Sequence, residues 1–157
     1  MARLETPDFP QRGGCLCRAV RYELRALPLT VYACHCKDCQ RLSVGTHTIS
    51  MVVERADVSL LSGKLETYVK TAESGRTLRM LRCAACGSPV WNEASADSPT
   101  IVMKAGNLDD IGWAQPVGNI WTRSKAPWVA IDPDLPHYDT QPDDRAALIA
   151  AWKQAHA

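Results

Sequence analysis

Cys83-Ala84-Ala85-Cys86-Gly87, taken together with Cys15-Leu16-Cys17 and Cys34-His35-Cys36-Lys37-Asp38-Cys39, decides the fold of this chain. These three stretches hold all seven cysteines of the 157 residues. Cysteines two or three positions apart can direct two thiolates at one point in space, as a Zn²⁺ ion requires. Such close pairs rarely form a disulfide with each other without strain, and an odd number of cysteines cannot all be paired. The spacing therefore predicts metal binding.

Seven thiolates divide into a set of four and a set of three. Four thiolates close a tetrahedral structural site, whereas three leave a coordination position open, as in a catalytic zinc site. The sequence thus predicts two zinc ions, one structural and one catalytic. Spacing alone leaves the division open, because Cys15 and Cys17 can join either Cys83 and Cys86 or the pair Cys34 and Cys36.

Roles for the cysteines without zinc fit the pattern less well. Simple burial as small apolar side chains does not account for three short-range clusters. A thioredoxin-like redox motif at Cys83 and Cys86 requires a βαβ setting, and no helical pattern follows these residues. An iron–sulfur cluster is disfavoured because no stretch has ferredoxin spacing.

Composition excludes several classes of function. A net charge of +1 and a pI of about 7.6 give little support to nucleic-acid binding, which usually needs a basic excess. No run of 18 apolar residues is present, so we expect no membrane span. Reduced thiols and the lack of an export signal in residues 1–12 predict a cytoplasmic protein.

Short alternating stretches predict a mainly β fold built from antiparallel sheets. Length indicates one domain over residues 1–157, with a core at about 10–132 and a C-terminal loop and helix at 133–157. Glu73-Ser74-Gly75-Arg76 predicts a hairpin turn. The predicted strands are residues 20–24, 47–53, 65–71, 77–82, 100–105, 117–122 and 128–131.

The C-terminal residues predict a single amphipathic helix. Thr140 is the expected N-cap, with Pro142 and Asp143 in the first turn. An apolar stripe at helical spacing predicts a face that packs against the sheet or, alternatively, forms a homodimer contact; it consists of Leu148, Ala151, Trp152 and Ala155.

The three cysteine clusters in this order resemble the glutathione-dependent formaldehyde-activating enzyme family, which shares its fold with the centromere protein V group. Gly106-Asn107-Leu108-Asp109 and the segment from Ile120-Trp121 to Trp128 also match its pattern. The resemblance covers roughly residues 10–132. It implies an Mss4-like β-tent, in which zinc staples the antiparallel sheets together.

The resemblance also implies a division of ligands. The structural zinc falls to Cys15, Cys17, Cys83 and Cys86, and the catalytic zinc to Cys34, Cys36 and Cys39. The implied activity is that of an S-(hydroxymethyl)glutathione synthase, a carbon–sulfur lyase. Its small-molecule partners are a thiol, glutathione or similar, and formaldehyde or a related aldehyde. A non-catalytic, zinc-stabilised interaction module of the same fold is the alternative.

Further residues near the central cluster are candidates for binding the thiol. Glutathione carries two carboxylates, so its site should offer cations. Arg41, two residues after Cys39, is the best placed, and Arg123 and Lys125 are secondary candidates. His47 is expected to line the pocket or to supply a fourth zinc ligand. The side chain of His35 is expected to point away from the zinc, because His35 lies between two ligands.

Overall fold

The computed structural model describes residues 3–157 and shows a mainly β protein with two helices in these residues. The helices are α1 (Lys37–Ser43) and α2 (Ala146–Ala155). The strands are β1 (Gln11–Gly14), β2 (Arg21–Leu24), β3 (Thr30–Cys34), β4 (Thr48–Glu54), β5 (Val58–Ser62), β6 (Leu65–Thr71), β7 (Thr77–Cys83), β8 (Pro89–Glu93), β9 (Thr100–Lys104), β10 (Asn119–Ile120) and β11 (His137–Tyr138). The predicted mainly β class and C-terminal helix are confirmed.

Two sheets account for these strands. The smaller sheet has the order β1-β2-β5, and the larger has the order β11-β10-β3-β4-β9-β8-β7-β6. Pairing is antiparallel throughout, as expected, except that β10 lies parallel to both β3 and β11. No helix in residues 3–157 is long and apolar enough to cross a membrane.

The central strands of the larger sheet are covered on both faces. Val31, Met51 and Met103 lie in register on β3, β4 and β9, and their side chains enter the main hydrophobic core. The neighbouring residue on each of these strands points to the opposite face of the sheet, because successive side chains of a strand alternate. There Tyr32 faces Ser50, and Ser50 faces Lys104. This second face forms the floor of the cavity described below.

The hairpin predicted around Gly75 is present. β6 and β7 pair from Leu65 with Cys83 to Thr71 with Thr77. Gly75 has a φ of +80°, a backbone conformation that glycine adopts without a steric penalty. The hairpin carries Cys83 at its end and so brings the third cysteine cluster to the edge of the smaller sheet.

Two strand predictions are wrong: one strand is shorter than predicted, and the other does not form. The strand expected at 117–122 shrinks to β10, because Trp121 adopts a left-handed conformation with a φ of +59° that ends the extended chain. The strand expected at 128–131 does not form. There Lys125 Nζ donates to the carbonyls of Ala126 and Val129, which curls the chain, and Trp128 is exposed.

The C-terminal helix begins later than predicted. α2 starts at Ala146 rather than after Thr140, because the carbonyls of Asp139 and Thr140 accept hydrogen bonds from Arg123 and Trp121. These bonds hold residues 139–140 against the segment that follows β10. The predicted stripe packs within the chain, since Leu148, Trp152 and Ala155 are buried; it is therefore not a free surface for a homodimer contact.

Candidate metal centres and their cavity

Two cysteine pairs that are distant in sequence meet at one point. Cys15 and Cys17 follow β1, Cys83 ends β7, and Cys86 lies in the turn to β8. Their four sulfur atoms all lie within 4.8 Å of one another, and this cluster is named the closed cluster here. The rival division, which joins Cys15 and Cys17 to the central cysteines, is not the one that forms.

The spacing of the closed cluster fits a tetrahedral zinc ion. Cys15 Sγ lies 3.5 Å from Cys17 Sγ, and Cys17 Sγ lies 3.9 Å from Cys83 Sγ. Four sulfurs at about 2.3 Å from a zinc ion would be separated by about 3.8 Å. The donor chemistry and the distances therefore both suit zinc.

Neighbouring groups orient the thiols of the closed cluster. The Val20 amide donates to Cys15 Sγ at 3.3 Å, and the Ser88 hydroxyl lies 3.1 Å from Cys86 Sγ. Hydrogen bonds from the Ser88 hydroxyl and amide lower the pKa of Cys86 to about 5. A thiolate accepts such bonds better than a thiol, so this turn is prepared for a metal ligand.

The second cluster comprises Cys34, Cys36 and Cys39 and is named the open cluster here. Their sulfur atoms also lie within 4.8 Å of one another. Cys34 ends β3, while Cys36 caps α1 and accepts a hydrogen bond from the Cys39 amide at 3.3 Å. The short helix α1, which the sequence did not predict, turns Cys39 back toward the other two sulfurs.

The thiols of the open cluster shift one another's pKa values in opposite directions. Hydrogen bonds from the Cys34 and Cys36 thiols hold the pKa of Cys39 far below its usual value, and the charge of Lys104 acts in the same direction. Hydrogen bonds with the other two cysteines and burial raise the pKa of Cys34. Three thiolates suit zinc and leave one of its four positions for another ligand.

The open cluster lines a cavity of about 670 Å³. Its floor is the polar face of the larger sheet, with Tyr32, Ser50 and Lys104. Apolar walls come from Leu42, Ile120 and Trp121, among others. None of the four closed-cluster cysteines belongs to the lining described for residues 3–157. The volume lies within the range of small-molecule sites, about 300–1,000 Å³.

The predicted cationic residues have different locations. Arg41 lies in the last turn of α1 and lines the cavity, although the residue is exposed. Arg123 stacks 5.1 Å above the Trp121 ring and pairs with Glu73. Lys125 donates to the backbone of its own loop. Neither Arg123 nor Lys125 is part of the lining described for residues 3–157.

The two histidines near the open cluster lie side by side. His35 is buried and its Nε2 lies 2.9 Å from Asn119 Oδ1, while its ring centroid is 5.0 Å from that of His47. His47 also lies 2.8 Å from the Thr46 hydroxyl. The described metal cluster contains only the three cysteines, and His47 does not belong to the described cavity lining. Burial and the neighbouring His35 lower the pKa of His47.

Several cavity residues were missed by sequence reasoning. Lys104 ends β9, and Arg145 precedes α2, far from the cysteines along the chain. Their charge alone gave no signal, because lysine and arginine are mostly solvated. The one signal in the sequence is a lysine at the end of a strongly apolar strand, Thr100–Lys104, where a buried charge is unusual.

The structure thus defines a mainly β protein with two cysteine clusters suited to zinc, one of them open to a cavity. Residues 10–124 match the family model described as "Glutathione-dependent formaldehyde-activating enzyme", and the chain belongs to that family. The family predicted from the cysteine motifs is confirmed.

Solved structures support the fold. A crystal structure of a Rhodobacter sphaeroides protein, a structural genomics target, is similar with a TM-score of 0.50 and 16% sequence identity. The similarity covers 81% of this chain and 98% of that chain. No curated protein matches the chain.

Proposed function

We propose that the protein is a zinc-dependent enzyme of the carbon–sulfur lyase type that joins a thiol, glutathione or a similar one, to formaldehyde or a related aldehyde. One observation carries this proposal: the three-thiol cluster lines a cavity, whereas the four-thiol cluster lies away from it. This is the arrangement expected for one working site and one structural site. Family membership supports the same reaction class.

The residues of the open cluster would hold zinc through Cys34, Cys36 and Cys39. When bound, zinc would supply an open position that lowers the pKa of an incoming thiol, whose proton would pass to solvent. Three anionic ligands weaken its Lewis acidity, so activation of the thiol is favoured over polarisation of the carbonyl group. In the reaction the sulfur forms a bond to the carbonyl carbon. The electron pair of the C=O π bond moves to oxygen, which takes a proton from solvent.

The cavity walls have separate tasks in this scheme. Leu42, Ile120 and Trp121 exclude water from the reacting atoms. Burial raises the pKa of Tyr32 to about 12, so its phenol stays protonated and can donate a hydrogen bond. Arg41 lines the cavity, and in this scheme it would bind a carboxylate of the thiol. We also propose a cytoplasmic location, because all seven cysteines are free and need a reducing compartment.

The test is NMR exchange spectroscopy of ¹³C-formaldehyde with glutathione, combined with metal analysis. Zinc-loaded protein is expected to accelerate exchange between free formaldehyde and the thiol adduct above the uncatalysed rate. Cys36→Ser, which removes one ligand of the open cluster, is the matched control and should not accelerate it. If the protein binds two zinc ions and accelerates neither this exchange nor the corresponding exchange with other small thiols and aldehydes, the enzyme proposal fails. The non-catalytic interaction module then becomes the better account of the protein.

A further inference from the structure

The floor of the cavity carries a buried ammonium group beside the open cluster. Lys104 is 7% exposed and pairs with Ser50 of β4. Two residues along β4, on the same face of the sheet, Thr48 pairs with Cys34 of the open cluster. The side-chain amide of Asn92 is oriented so that its nitrogen donates to the Trp91 carbonyl. Its oxygen then accepts a hydrogen bond from Lys104 Nζ at 3.2 Å. An amide supplies no negative charge, so this contact does not neutralise the Lys104 side chain in a place where burial of a charge is costly.

A second cationic group reaches the same cavity from the start of α2. Arg145 lines the cavity, and its Nε is buried without a hydrogen-bond partner. Arg145 occupies the N-cap position of α2, but its side chain makes no capping hydrogen bond. Leaving a buried donor without a partner is unfavourable, so the Nε–H of Arg145 favours an anionic ligand. The same side chain also lies beside the hydroxyl of Tyr32, in the row of the sheet that holds Ser50 and Lys104.

The acidic residues of the lining do not neutralise these two cations. Glu93 pairs with Arg55 and Arg79, both outside the described lining. Asp38 pairs with Lys70, and Glu73 pairs with Arg123. Among residues 3–157, no carboxylate forms an ion pair with Lys104 or Arg145. Lys104 and Arg145 are therefore two cations of the cavity lining that no carboxylate of the described residues neutralises.

We propose that Lys104 and Arg145 bind a carboxylate of the reactant, and that the enzyme prefers a short acid whose carboxylate lies within two or three bonds of the reacting atom. The proposal rests on the function proposed above and narrows its substrate class. Lys104 and the open cluster line the same cavity, and Ser50, the partner of Lys104, lies two residues along β4 from Thr48, the partner of Cys34. The carboxylate site and the open cluster are therefore close together. The carboxylates of glutathione lie farther from its sulfur, so they reach the exposed Arg41 more readily than this floor.

The carboxylate could belong to the thiol or to the aldehyde. Two matched pairs separate these sources: mercaptoacetate with 2-mercaptoethanol, and glyoxylate with glycolaldehyde. Each pair differs mainly in the charged group. Binding to zinc-loaded protein is measured by calorimetry, and formation of the C–S bond is measured separately by NMR exchange.

The wild-type protein should bind the charged member of at least one pair at least roughly tenfold more tightly, as one charge-assisted hydrogen bond allows. Lys104→Met and Arg145→Met should each remove most of that preference, with the zinc content unchanged. Lys153→Met, on the exposed side of α2, is the control and should keep the preference. Loss of affinity that is equal for charged and uncharged ligands would show that Lys104 only balances the charge of the metal site, and would overturn the proposal.

The two proposals fail in different ways. If charged ligands bind more tightly but C–S bond formation is not accelerated, the carboxylate site is supported and the proposed enzyme activity is ruled out. If C–S bond formation is accelerated but charged and uncharged ligands bind equally well, the enzyme activity is supported and the carboxylate site is ruled out.

Discussion

Cys17 Sγ lies 3.9 Å from Cys83 Sγ, although 66 positions separate the two residues along the chain. The contact joins the turn after β1, in the smaller sheet, to the end of β7, in the larger one. A metal at this point closes a long loop and ties the two sheets together. Metal binding at such a site contributes directly to folding.

Cys83→Ser should therefore lose the zinc of the closed cluster and most of the folded protein. Zinc content by elemental analysis and thermal unfolding monitored by circular dichroism measure both effects. Ala85→Ser is the matched control, because it adds a hydroxyl to the same exposed turn and removes no thiolate. A soluble Cys83→Ser protein with its full complement of zinc would refute the structural role.

Cys36→Ser should behave differently. Serine is a favourable N-cap residue, so α1 keeps a side chain that can accept from the Cys39 amide. The protein should stay folded, retain the zinc of the closed cluster and lose that of the open cluster. Zinc content should fall from two ions to one per chain. Unfolding as severe as that of Cys83→Ser would contradict the division into structural and working sites.

Arg41→Ala should weaken glutathione binding while both metals stay bound. Because Arg41 is exposed, solvent screens its charge, and the expected loss is about two- to fivefold. Titration calorimetry with glutathione and with 2-mercaptoethanol measures it, and the uncharged thiol should lose little affinity. An equal loss for both thiols would assign Arg41 a structural role instead.

Local patterns predicted the parts of the fold that depend on neighbouring residues. The hairpin around Gly75 and the apolar stripe of α2 follow from short-range spacing, and both are present. The parallel strands β10 and β11 did not follow, since each has only two residues and pairing depends on distant segments. The start of α2 was misplaced because hydrogen bonds from Trp121 and Arg123 override a good capping sequence at Thr140.

The candidate site shows the same limit. Ligand types and spacing identified every cysteine that the two clusters contain. The choice between the two divisions of ligands required the family resemblance, because only the tertiary fold brings Cys15 next to Cys83. Lys104 could not be assigned to the cavity from sequence, since both faces of β9 are covered and alternation does not tell which face holds a ligand.

Glu93, whose side chain is 3% exposed, pairs with Arg55 at 2.7 Å and with Arg79 at 3.1 Å, and this makes stability depend on pH. Burial alone would raise the pKa of Glu93, but hydrogen bonds from Arg55 and then Arg79 outweigh it and lower the pKa below the ordinary value of 4.5. The unfolded chain therefore binds more protons than the folded chain between the two pKa values. The stabilisation from Glu93 is complete above pH 4.5 and is lost as the pH falls through the folded-state pKa.

Glu93→Gln should accordingly reduce the free energy of unfolding by about 1–3 kcal/mol at pH 7, from the loss of charged hydrogen bonds. The difference from the wild type should shrink as the pH falls below 4.5. Urea unfolding of both proteins across this range measures it, and protonation of the cysteines cancels because both chains contain all seven. Glu66→Gln is the control, since its pair with Arg82 is half exposed and should contribute little. A difference between Glu93→Gln and the wild type that stays constant from about pH 7 to well below the ordinary pKa of a glutamate would show that the charge of Glu93 does not stabilise the fold.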